Sequence, residues 1–73
     1  MKMLTRYAKE VVSQMSSDDR FDFYNNPNKW LDGLMRAPIG YRNGDNDKPV
    51  YINTEDQWDK FVEIARKYID KKI

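Results

Sequence analysis

Apolar residues recur at Leu4, Tyr7, Ala8, Val11, Val12 and Met15. That spacing places one buried stripe on a helix running from about Lys2 to Met15. Ser16 and Ser17 interrupt the stripe, and either serves as an N-cap because its hydroxyl accepts from free backbone N–H groups. Asp18 and Asp19 suit the positive end of a new short helix carrying Phe21, Phe23 and Tyr24. Asn25 and Asn26 close that turn. Pro27 then restarts the chain, since its missing N–H would be unpaired at a first helical position anyway. Trp30, Leu31, Leu34 and Met35 fall on one helical face. Gly33 weakens this stretch by about 1 kcal/mol against alanine, unless it marks the close approach of another backbone. Ala37-Pro38 ends the segment.

Residues 39–53 lose the helical period. Ile39-Gly40-Tyr41 and Val50-Tyr51-Ile52 are β-prone, and Asn43-Gly44-Asp45-Asn46-Asp47 between them is turn chemistry. The pattern predicts a small hairpin, with Pro49 near the start of its second strand, where a lost donor is tolerated. Two strands are marginal alone in water, so the hairpin must lean on the helices. The last helix opens with Thr54-Glu55-Asp56-Gln57, a capping box in which Thr54 and Gln57 bond each other's backbone N–H. Its stripe is Trp58, Phe61, Val62, Ala65, Tyr68 and Ile69. Acids gather at its start and bases at its end, which complements the helix dipole. The expected fold is a mainly helical α+β domain. It has three or four helices and one small β-hairpin between the middle and C-terminal helices. Residues 1–73 form a single small globular domain, framed by the two terminal helices.

Composition sharpens this picture. A chain of 73 residues supports one shallow core, worth roughly 3–5 kcal/mol without staples. Cysteine and histidine are both absent. Disulfides, thiolate metal sites and the commonest zinc geometries are therefore excluded. The core rests on apolar burial alone or on burial shared with a second subunit, so a homodimer is a standing option. Two tryptophans, five tyrosines and three phenylalanines are a generous aromatic supply, which disordered chains lack. A net charge of +1 argues against strong nonspecific attraction to DNA or membrane. No apolar run is long enough to span a bilayer. Met1-Lys2-Met3-Leu4-Thr5-Arg6 carries charge where a signal peptide needs an apolar stretch. A cytoplasmic protein without membrane contact is the default expectation. The lean towards Asn, Asp, Lys, Ile and Tyr is common in small proteins of AT-rich microbes and phages.

Catalysis lacks its usual tools. General acid–base and covalent work draw most on histidine, cysteine or an activated serine or lysine. Asp18, Asp19 and Asp22, and separately Asp45 and Asp47, would act only in a cleft that raises one carboxyl pKa. Capping and turn formation explain both groups more simply. Gly44-Asp45-Asn46-Asp47 has the look of a calcium loop. Counting from Asp45, however, Pro49 and Val50 stand where an oxygen ligand and a glycine are needed, and Asp56 replaces the bidentate glutamate. No metal or other cofactor is expected, and the chain is not expected to be an enzyme.

Two binding readings remain. The middle third is rich in Phe, Tyr and Trp, residue types that protein interfaces favour together with arginine. The connection 36–43 is expected to be exposed, with Arg36, Ile39, Tyr41 and Arg42 as contacts for a larger protein partner. That makes the chain a small regulatory or inhibitory protein. Phe21, Trp30 and Leu34, by contrast, belong more naturally to a core. The alternative is a small nucleic-acid-binding protein using Lys2, Arg6, Lys9, Arg66, Lys67, Lys71 and Lys72 against phosphates. Tyr7 or Tyr68 would stack on bases. The helix dipole accounts for the C-terminal bases without any ligand. Nothing in their spacing matches a helix-turn-helix or RNA-binding signature.

Overall fold

The structure of the chain, a computed structural model, describes residues 2–44 and 46–72; the side chains of Lys2, Asn43 and Lys72 fall outside that description. Asp45, one of the paired aspartates of the turn, lies outside the described residues. The elements are α1 (Lys2–Gln14), α2 (Ser17–Asn25), a 3₁₀ turn (Pro27–Trp30), α3 (Leu31–Met35), β1 (Gly40–Tyr41), a second 3₁₀ turn (Arg42–Gly44), β2 (Pro49–Val50) and α4 (Glu55–Lys72). The fold is a mainly helical α+β arrangement with one antiparallel hairpin between α3 and α4.

The two terminal helices make the largest helix–helix contact and frame the core. Leu4, Ala8 and Val12 from α1, with Met15 just past its end, meet Trp58, Phe61, Val62, Ala65 and Ile69 from α4, all buried, as the two stripes require. Phe23 fills the third side from α2 and is fully buried. Its ring stands edge-on to Trp30, Trp58 and Phe61, with centroids 6.2, 6.4 and 6.0 Å away. Such edge contacts add to the area each ring buries.

Local chemistry sets the element ends. Ser16, not Ser17, caps α2, accepting from the Asp19 N–H at 3.2 Å. Thr54 accepts from the Gln57 N–H at 3.2 Å. The return bond differs from the expected box: the long Gln57 arm reaches one residue further back and takes the Asn53 N–H at 2.9 Å. Pro27 opens a 3₁₀ turn, and α3 is only five residues long. Gly33 has open space where a Cβ would stand, so no neighbouring backbone explains it.

The hairpin is short and pinned. Gly40 pairs with Val50 and Tyr41 with Pro49. The Arg42 N–H donates to the Lys48 carbonyl at 2.9 Å, which carries the ladder into the turn. Gly44 takes φ of 73°, a left-handed conformation open to glycine at little cost. Gly40 lies against Met3: a Cβ there would stand 2.5 Å from Met3 Cγ. The hairpin leans on α1 through that contact and on the core through Ile39 and Ile52, both buried.

Candidate functional site

The amphipathic packing of α1 leaves its second face towards a cleft shared with α3 and the hairpin. Arg6, Tyr7 and Glu10 of α1 face Trp30, Leu34 and Tyr41 across an open space of about 660 Å³. Each wall has a local cause. Trp30 is fixed from behind, its indole N–H donating to Asp22 Oδ2 at 3.0 Å and its ring edge-on to Phe23. Tyr7 is half-buried, its ring centroid 5.6 Å from that of Phe61. Burial, and secondarily the charge of Glu10, raises the Tyr7 pKa above the ordinary tyrosine value, so the phenol stays neutral. Tyr41 stands at the hairpin rim, 41% exposed.

The residues expected as protein contacts separate in space. Tyr41 lines the cleft. Arg42 turns to a second groove of about 490 Å³ with Lys48, Tyr51 and Gln57. Arg36 is exposed and lines neither groove; it pairs with Asp32 one turn back at 3.1 Å. Ile39 corrects the expectation of an exposed contact. It is only 9% exposed, with its N–H donating to the Val50 carbonyl at 2.7 Å. The reason is that the hairpin needs an apolar plug to hold it on the helices. Ile39 meets the cleft only as part of its lining.

The basic residues of the nucleic-acid reading are unequally available. Arg66 is half-buried, and Nε and Nη2 both donate to the Tyr24 carbonyl at 3.1 and 2.8 Å. Its guanidinium also lies 5.3 Å from the Tyr24 ring centroid. It thus satisfies a carbonyl at the C-terminal end of α2, which lacks an intrahelical partner. Lys67 pairs with Glu63 at 3.5 Å, and Lys71 lies over the Tyr68 ring at 5.9 Å. Arg6 and Lys9 are exposed, and Arg6 lines the cleft. The side chains of Lys2 and Lys72 lie outside the described residues.

Compared with protein-family models, curated proteins and solved structures, the chain matches none.

The aspartates fall where capping and pairing use them. Asp18 and Asp19 are exposed in the first turn of α2. Asp22 accepts from Lys29 at 3.2 Å and from Trp30, and the Lys29 hydrogen bond leads in holding its carboxyl below the usual aspartate range. Among the described residues, no three acidic side chains gather where a metal ion would sit.

Three exposed side chains escaped the sequence reading. Phe21, expected in the core, is 73% exposed. The signal was available: residues two apart on a helix point roughly 200° from each other, so Phe21 and Phe23 cannot both face inward. Met35 and Tyr51 are also exposed, at 39% and 40%. Met35 is the last residue of the five-residue α3.

Proposed function

We propose that this chain is a non-enzymatic binding protein that docks on a larger protein, as a regulator or inhibitor, through the cleft face bearing Tyr41. The observation carrying this reading is the company Tyr41 keeps. A rigidly held Trp30, the half-buried Leu34 and the exposed Tyr41 share one open cleft with Arg6 and Glu10. Aromatic anchors with polar groups at the margin are what binding hot spots are made of. The openness of the cleft and the surface position of the carboxylates support binding over chemistry, which needs water excluded around a tuned acid or base. Arg36 and Arg42 are exposed but line no part of this cleft. The engagement of Arg66 within the fold weighs against the terminal basic residues as a phosphate track.

The test is capture of a partner from host lysate by the tagged chain, followed by the purified pair. Tyr41→Ala and Leu34→Asp should each weaken the complex at least about tenfold, the loss of a small hot spot. Phe21→Ala, on another surface, should leave affinity unchanged. Equal affinity for all three variants would remove the cleft from the interface. A salt-dependent gel shift abolished by Lys67→Glu with Lys71→Glu would instead carry the nucleic-acid reading.

A further inference from the structure

The groove beyond the hairpin differs in chemistry from the cleft. Arg42 and Lys48 stand opposite one another across the mouth of the hairpin, tied by the Arg42 N–H to Lys48 carbonyl bond of 2.9 Å. Like charges directly opposed across an antiparallel pair repel. Both side chains line one groove with Tyr51, Asn53 and Gln57, and none of the described residues lining it is acidic. Gln57 is oriented within it. Its Oε1 accepts the Asn53 N–H at 2.9 Å, which leaves its NH₂ group as the donor on offer. Tyr51 adds a ring that is 40% exposed. The groove therefore offers a guanidinium, an ammonium and an amide donor around one space of about 490 Å³. Its natural ligand is an acceptor without protons to give, a carboxylate above all.

We infer that the Arg42–Lys48–Gln57 groove is a docking site for an acidic peptide segment of a protein partner. Arginine takes one carboxylate in a two-pronged bond, while lysine and the glutamine amide take its neighbour. A long anionic strand fits less well. Glu55, Asp56 and Asp59 line the adjoining start of α4, and they repel any anionic chain that runs on beyond the groove, peptide or phosphate alike. A short acidic segment needs only the local donors. The site extends the protein-docking reading, because it lies on the other side of β1 from Tyr41, and it names the chemistry a partner brings.

The test uses a short oligoglutamate peptide, with an oligothymidylate of matched length as comparison, titrated into the full chain at low salt. Backbone amide shifts are followed by NMR. Oligoglutamate should move the amides of Arg42, Lys48, Tyr51 and Gln57 saturably, and the shifts should fade as salt rises. Arg42→Glu and Lys48→Glu should each abolish them. Gln57→Glu, which keeps the acceptor for Asn53 but replaces the donor, should weaken them at least about fivefold, the loss of a hydrogen bond to a charged group. These side chains are exposed or half-buried, and an unchanged amide spectrum elsewhere shows each variant folded. Shifts absent from the groove, shifts centred on Lys67 and Lys71, or shifts that survive Arg42→Glu would each overturn the site. Stronger groove binding by oligothymidylate would overturn the peptide assignment. Because no captured partner is needed, failure of the cleft at Tyr41 and failure of this groove are separate results.

Discussion

Asp22 shows how one side chain joins several roles. It sits on α2, accepts from Lys29 at 3.2 Å, and holds the Trp30 indole at 3.0 Å. Led by the Lys29 bond, these contacts depress its folded pKa below the ordinary aspartate value. The sign of the linkage follows. An unfolded chain takes up the proton first as pH falls, so the stabilisation is full above the unfolded value and is lost as pH drops through the folded one. Stability measured by urea unfolding should therefore decline as pH falls through the ordinary aspartate range and below it. Asp22→Asn should lower stability at neutral pH and flatten part of that decline, since asparagine still accepts from Trp30 but does not titrate. An unchanged slope in the variant would show that Asp22 is uncoupled from folding. Trp30 fluorescence gives the same information locally, because the charge on the indole's acceptor disappears when the carboxyl protonates.

At the scale of elements, the first turn of α4 is the firmest local stop in the chain. Thr54 Oγ1 takes the Gln57 N–H and Gln57 Oε1 takes the Asn53 N–H. Thr54→Ala should cost about 1 kcal/mol, as N-cap losses do, and Thr54→Ser should restore most of it. Thermal unfolding checks both, and an unaffected alanine variant would mean that packing alone sets this helix end. The long helices were legible because each repeats its apolar period over several turns, and one clash of period cannot hide a stripe such as Leu4-Ala8-Val12. The hairpin was legible from Asn43-Gly44, where the left-handed φ falls on the glycine. Short elements were not. Residues 27–35 split into a 3₁₀ turn and a five-residue helix, because a segment so brief takes its shape from what it packs on. Burial on such segments is equally context-bound: Ile39 turned inward, while Phe21 and Met35 turned out. The candidate site was half legible. Tyr41 and Arg42 were visible as exposed hairpin residues, but their division between two grooves depends on how the chain leaves β1 for the 3₁₀ turn that begins at Arg42. The role of Arg66 needed the carbonyl of Tyr24, which lies 42 residues away in the chain.

The whole molecule turns on one ring. Phe61 is fully buried, and its centroid lies 5.6 Å from that of Tyr7, 6.0 Å from Phe23 and 5.4 Å from Trp58. It is thus the side chain through which α1, α2 and α4 meet. Removing such a ring costs roughly 3–5 kcal/mol, which equals the entire stability expected of an unstapled domain of this size, also roughly 3–5 kcal/mol. Phe61→Ala should therefore lose its near-ultraviolet dichroism and cooperative unfolding at room temperature. Phe61→Leu keeps an apolar plug and forfeits the ring contacts, so it should stay folded with a lower midpoint. The pair also tests whether the core closes within one chain. No described buried side-chain nitrogen or oxygen lacks a hydrogen-bond partner, and the buried apolar side chains among the described residues form one cluster inside this chain. The Phe61→Leu midpoint should accordingly be independent of protein concentration. A midpoint that climbs with concentration would mean that a second copy supplies part of the burial.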